Sequence, residues 1–386
     1  MDFSLSDEQL AFRDVVRRWA DAEAPKSLAR ELEAREKDYP FALWDKFKEA
    51  GFFGIGIEES YGGQGGDVVT QMIFAREMSR NIGGLLWVWG LTSFAGAKSI
   101  GVYGSEEQKR RFLPEIAAGN CRVSISFTEP GGGTDVLGAM RTEATRTDGG
   151  WILNGEKMWS SASHVADYLL LLARTDRNVE KRHHGLTLFF VPAKSDGITN
   201  TTLPKLGMRS IGSSSVHFKD VFVPDDLVLS EPGRAWYTLL PTLNNERIMV
   251  GAQCLGAIDG VLEDALDYMK TRKAFGKPIG QFQALQHYVA DIATWQQQVE
   301  LLLHYTAWLQ STGRECGVQA NMLKMVASEY AVKAADLGIQ ILGGMGYSAE
   351  TDMQRYWRGH RILRITPISN EMVRNSIAKS LGLPRS

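Results

Sequence analysis

The chain has 386 residues, 44% of them hydrophobic and 23% charged, long enough for two or three domains and a sizeable core. A net charge of −2 argues against electrostatic nucleic-acid binding, and apolar runs such as "YLLLLA" fall well short of the roughly 18 residues of a membrane helix. Cys121, Cys254 and Cys316 lie far apart with no CxxC, and "MDFSLSDEQLAF" is acidic rather than basic-then-apolar. Both point to reduced thiols, no export signal and a cytoplasmic location.

Residues 5 to 120 read as helices. In "EQLAFRDVVRRWADAEA" the residues Leu10, Val15, Val16 and Trp19 fall at helical spacing, after a capping box of Ser6 with Gln9. "FALWDKFKEAGFFGI", "VVTQMIFAREMSR" and "SEEQKRRFLPEIAAG" continue the pattern, the last with Ser105 as N-cap. From 121 to 230 the texture changes to short segments rich in β-branched and aromatic residues: "CRVSISF", "WILNGEKMWSS", "DYLLLLART", "GLTLFFVPA" and "SSVHFKDVFVP". No helix-length segment separates them, which predicts an antiparallel sheet or barrel. From 231 to 386 the helical period returns, over roughly 236–271, 280–311, 316–342, 352–365 and 368–381. This suits an antiparallel four-helix bundle. The expected fold is therefore α+β multidomain, with a helical domain at 1–120, a β domain at 121–230 and a bundle at 231–386.

Several stretches offer chemistry. "SFTEPGGGTD" follows a strand, and its three glycines allow either a tight turn or close approach of backbone to a ligand. No GK[ST] and no helix follow it, so it is neither a Walker nor a Rossmann loop. "GEKMWSSAS" sets Trp159 beside three serines, for packing within the sheet or for stacking on a flat cofactor ring. In "TRKAFGKPIGQFQ", Arg272, Lys273 and Lys277 gather at a helix C-terminus, where cations are favourable in any case and where phosphate could bind. "LNNERIMVG" places Glu246 and Arg247 in a mostly apolar helix; Leu239, Leu243 and Val250 share the Glu246 face, which turns the carboxylate toward the core. The seven histidines show no metal-ligating spacing, so no metal site is expected.

Taken together, "FTEPGGGTD", "LNGEKMWSS", "TRKAFGKPIGQFQ", "QILGGMGY" and "SNEM", in this order and spacing, make the whole chain resemble the acyl-CoA dehydrogenase family of flavoenzymes. The resemblance implies a helical N-terminal domain, a middle β domain and a C-terminal four-helix bundle, with FAD between the last two. It implies a homotetramer built as a dimer of dimers, an acyl-CoA substrate and an electron-transfer flavoprotein as acceptor. It places Phe127 and Thr128 at the flavin's pyrimidine edge, Trp159 and Ser161 beside the ring, and Thr134 facing the CoA ester. Arg272, Phe275, Gln283, Gln340 and Gly344 would reach the neighbouring subunit's FAD, and Ser369 and Glu371 the adenosine half. Asn244 and Arg247 fall beside the substrate, and "GGLLWVWGLTSFAG", with Trp87 and Trp89, along the acyl tail or in the core.

The implied chemistry is α,β-desaturation: a carboxylate takes the α-proton while hydride leaves the β-carbon for flavin N5. Many members carry the base in a Tyr-Glu-Gly-Thr segment. Here the matching stretch is Thr366-Pro367-Ile368-Ser369, so the base position holds Pro367. A subset of the family places the base before an arginine on the first bundle helix, where this chain has Glu246-Arg247. Pro367 also lacks the N–H that the family turns toward the thioester oxygen. The alternatives are an enoyl-CoA reductase of the same family, or a non-catalytic FAD- or CoA-binding subunit of a hetero-oligomer.

Overall fold

The fold is taken from a computed structural model that describes residues 3–35, 38–181 and 183–384. Local capping chemistry starts several helices. Ser6 and Gln9 close a reciprocal capping box at the head of Asp7–Glu23, and Ser105 and Gln108 do the same for Glu106–Ala117. The Asp67 carboxylate accepts the N–H groups of Val69 and Thr70 and so caps Val68–Ile82. This last helix is buried along most of its length because it lies between the N-terminal helices and the bundle.

Two glycines make that close packing possible. A Cβ at Gly256 or Gly260 would collide with the Arg76 and Arg80 carbonyls, so these positions let the first bundle helix, Ala235–Thr271, lie directly on Val68–Ile82. Arg76 spans the contact, pairing with Asp259 at 2.8 Å and Glu300 at 2.6 Å. One hydrophobic core results, running from Phe47, Phe74 and Trp89 to Ile248, Leu255 and Leu323.

The β domain has its own core. Its strands are β1 (Val123–Ser126), β2 (Glu143–Thr147), β3 (Gly150–Ser161), β4 (Tyr168–Arg174), β5 (Leu186–Pro192), β6 (Ile198–Thr202) and β7 (Ser213–Pro224). They form one sheet in the order β1-β4-β2-β3-β7-β6, with β5 paired to β4. The sequence predicts an antiparallel sheet or barrel; the sheet is mixed, since β1 runs parallel to β4 and β2 meets β4 in parallel at one pair. A parallel pair needs a long crossover. The β2–β3 hairpin and its flanking loops supply it without a helix, so the usual cue for parallel strands is missing. β4 and β5 are buried on both faces, which explains the continuous apolar runs "YLLLLA" and "LTLFFV".

The bundle contains Ala235–Thr271, Gln283–Ser311 and Gly317–Leu342, mutually packed. Two shorter helices, Met353–Arg361 and Asn370–Ser380, complete it against the third long one. Between them the chain makes one tight helical turn at Ile362–Arg364 and then the Thr366-Pro367 junction. Ser369 accepts the Met372 N–H at 3.3 Å and starts the last helix. Among the described residues no helix is long and apolar enough to cross a membrane.

Candidate active site

The end of β1 and the end of β3 are stitched together by hydroxyls and backbone. Ser126 Oγ donates to Ser160 Oγ at 2.9 Å, Ser124 Oγ to the Ser161 carbonyl at 2.7 Å, and Met158 N to the Thr128 carbonyl at 2.8 Å. Phe127, Thr128, Trp159 and Ser161 are thus brought to one place. Ser161 Oγ lies 3.0 Å from Ser213 Oγ, which accepts from Lys205 Nζ at 3.1 Å. β3 bulges against β7 between Lys157 and Ser160, and within the bulge Trp159 takes the left-handed φ of +64°. An aromatic residue rarely adopts that conformation. Its indole is 53% exposed, so packing does not explain the strain. In the turn after β3, where its ring packs on Gly212, both ring nitrogens of His164 are buried without a partner. Burial, aided by Lys205, holds that imidazole's pKa below the usual histidine value. An open aromatic face beside the Ser161 and Ser213 hydroxyls fits a flat, polar ring.

Beneath this surface lies a pair that the motifs did not single out. Lys157 is fully buried and Glu129 nearly so. Lys157 Nζ donates to Glu129 Oε1 at 2.8 Å and to the Phe127 carbonyl at 3.1 Å. The same carboxylate accepts the Arg141 N–H at 2.6 Å and the Thr142 N–H at 2.9 Å. Burial raises the Glu129 pKa, but Lys157 and these N–H donors bring it below the ordinary carboxylate value. Burial lowers Lys157 to about 8, so both groups are charged at neutral pH. The pair anchors the strand end that leads into the glycine loop. Thr134, beyond the glycines, is exposed.

A second constellation forms on the bundle. Glu246 is half-buried on the first bundle helix, and burial pushes its carboxyl up to about 7 against the pull of Arg247 and Lys324. Arg247 Nη1 donates to Asn244 Oδ1 at 2.9 Å, and its Nε is buried without a partner. From the third long helix, the buried Lys324 donates to the Ile368 carbonyl at 2.6 Å and to Asn370 Oδ1 at 2.8 Å. These bonds hold the turn that contains the exposed Pro367. Lys324 carries no motif signal; a lysine flanked by apolar residues in "MLKMVAS" is the only trace it leaves. Ser369 is half-buried at the start of the last helix and Glu371 is exposed.

The remaining predicted residues lie elsewhere on the bundle surface. Arg272 ends the first bundle helix and leads into a small hairpin, Lys273–Ala274 with Lys277–Pro278. At its tip Phe275 is 94% exposed with a φ of +52°. Gln283, Gln340 and Gly344 are also exposed. Within one chain these five are not gathered to the strand motifs. Trp89 belongs to the core, its Nε1 donating to the Phe52 carbonyl at 2.9 Å, whereas Trp87 is half-buried.

Three family models match: acyl-CoA dehydrogenase N-terminal domain over residues 6–120, middle domain over 124–221 and C-terminal domain over 233–382. A benzylmalonyl-CoA dehydrogenase of Aromatoleum aromaticum is 36% identical over 99% of this chain and 100% of its own length. The caffeyl-CoA reductase-Etf complex subunit CarC of Acetobacterium woodii is 32% identical over 93% of this chain and 94% of its own. The structure of butyryl-CoA dehydrogenase from Megasphaera elsdenii superimposes with a TM-score of 0.93 at 31% identity, covering 99% of this chain and 100% of that one.

Proposed function

The chain belongs to the acyl-CoA dehydrogenase family, FAD-dependent oxidoreductases that act on the CH–CH bond of acyl-CoA thioesters, and on that premise we propose that Glu246 is the base that removes the α-proton. The observation that carries the proposal is the half-buried carboxylate with its pKa raised to about 7, on the helix that also bears Asn244 and Arg247. A general base works best when its pKa lies near the operating pH. Pro367 has neither a carboxylate nor an N–H.

When bound, FAD supplies the hydride acceptor. Phe127, Thr128, Trp159 and Ser161 would hold its ring, and Ser369 and Glu371 its adenosine half. Thr134, Asn244 and Arg247 would contact the substrate. Arg272, Phe275, Gln283, Gln340 and Gly344 would reach the FAD of a neighbouring subunit in a homotetramer, arranged as a dimer of dimers. Their exposure supports this reading, above all that of Phe275 at a hairpin tip. Electrons would pass to an electron-transfer flavoprotein in the cytoplasm, a role supported by the likeness to an Etf-complex subunit. That likeness also supports a second reading, the same step run as reduction of an enoyl-CoA.

The experiment is rapid mixing of the oxidised protein with butyryl-CoA and with 3-phenylpropionyl-CoA, read as flavin bleaching across pH. Only the ionised carboxylate accepts a proton, so the rate should climb through about pH 7 and level off above it. A rate that is flat between about pH 5.5 and 8.5 contradicts a base of this kind. A separate expectation concerns Arg272. Arg272→Ala should give a protein that loses FAD on gel filtration while keeping its far-UV circular dichroism, because an exposed arginine contributes little to folding and much to a charge-assisted phosphate contact. Full retention of FAD would remove Arg272 from the cofactor site.

A further inference from the structure

A fully buried lysine is rare without a purpose, since an apolar side chain of the same volume would usually stabilise the helix as well or better. Lys324 sits on Gly317–Leu342 with no exposed surface. Its ammonium joins two segments that come from different parts of the sequence. On one side it donates to the Ile368 carbonyl, one residue after Pro367, and to Asn370. Asn370 is itself fixed, donating to Ser328 Oγ at 3.1 Å and Glu329 Oε1 at 3.3 Å. On the other side lies the helix that carries Glu246. The backbone at Gly317 faces the Asn244 amide, and Gly251 is closed off by the Leu323 side chain. The stretch 244–254 therefore runs alongside 317–324.

We propose that Lys324 is a positioning residue of the site around Glu246: it ties the Pro367 turn to the third bundle helix and keeps a positive charge near Glu246, so that turn and base are held in register by one buried ammonium. The inference rests on the reading of Glu246 as the base. The charged and titratable groups around the two are few. Glu246 is flanked by Arg247 on its own helix and faced by Lys324. Lys324 is faced by Cys254, Arg247 and Glu246 from the first bundle helix and by Glu371 from the last. Cys316 stands near Arg247. The positive charge of Lys324 favours the carboxylate form of Glu246, so its removal moves the titration of the base to higher pH.

The test measures bleaching by the faster of the two thioesters against pH, in Lys324→Met, Lys324→Arg, Asn370→Ala and Glu246→Gln. Lys324→Met should keep FAD and lose about tenfold or more in rate at pH 7, as a misplaced turn would produce. Its midpoint should also rise by about half a unit or more. Lys324→Arg should bring the midpoint back. Asn370→Ala should slow bleaching and leave the midpoint in place, because it removes one clamp bond and no charge. The proposal falls if Lys324→Met titrates at the parent's midpoint, or if the arginine variant does not restore it. Should Lys324→Met not fold, parental rates in Asn370→Ala overturn the clamp by themselves. Parental bleaching by Glu246→Gln removes the base assignment and this inference with it. An inactive Glu246→Gln beside an unmoved Lys324→Met midpoint strikes the inference alone.

Discussion

Replacing Glu246 by glutamine should give a folded, yellow protein that binds acyl-CoA and leaves its flavin oxidised. Glutamine keeps the shape of the side chain and can still accept a hydrogen bond, but it cannot take a proton. The loss of a positioned general base costs on the order of 10²–10⁴-fold, and more where no second base can reach. The other base position that the resemblance suggests holds Pro367, so the drop should lie at or beyond the upper end. The neutral side chain also relieves the cost of holding a carboxylate in a half-buried place, where burial already raises its pKa to about 7. Glu246→Gln should therefore be at least as stable as the parent at pH 8, with the advantage fading as pH falls and the parent's own carboxylate becomes protonated. The sign follows from linkage: an acid whose pKa is higher folded than unfolded destabilises the fold above that pKa. Fast bleaching in Glu246→Gln would reduce Glu246 to a neighbour of Arg247. A stable, substrate-binding, unbleached variant is the expected result.

How far the sequence carried this reading depended on which interactions leave a local trace. The capping box at Ser6 and the N-cap at Ser105 were legible because their partners lie three residues away. The helix–strand–helix succession was legible because side-chain periodicity changes with the backbone. The direction of β1 relative to β4 was not, because pairing between residues 123 and 168 is decided by the path of the intervening loops. The family resemblance pointed to Trp159 and Ser161, but only the backbone reveals the left-handed bulge that turns the indole outward. Lys157 and Lys324 stayed hidden for one reason. A buried ammonium is defined by partners far along the chain, 28 residues away at Glu129 and 44 at Ile368. In the sequence alone, such a lysine reads as an ordinary solvated charge.

The second large effect is expected at Lys157. Lys157→Met fills the same space and removes the charge, leaving the Glu129 carboxylate buried with only two backbone N–H donors. Breaking a buried pair from one side typically costs about 3–5 kcal/mol, because the surviving charge keeps its desolvation penalty. The two remaining donors place this case toward the lower end. The cost should depend on pH. In the parent the Glu129 pKa lies below its unfolded value, so the pair contributes stability at neutral pH that is lost only as pH falls through that depressed value. In the variant the unpaired carboxyl protonates far more readily, which relieves the buried charge in acid. The stability gap between parent and Lys157→Met should therefore be widest at pH 7 to 8 and narrow toward pH 5, measured by urea denaturation at each pH. FAD should be lost in step, since Lys157 also holds the Phe127 carbonyl at the strand end beside Trp159. The double variant Glu129→Gln with Lys157→Met separates the two consequences. Removing both charges should recover part of the stability. It should not recover FAD affinity, because the Phe127 carbonyl still lacks its donor. Equal FAD affinity in parent and double variant would show that the pair supports the sheet and has no part in shaping the cofactor's edge.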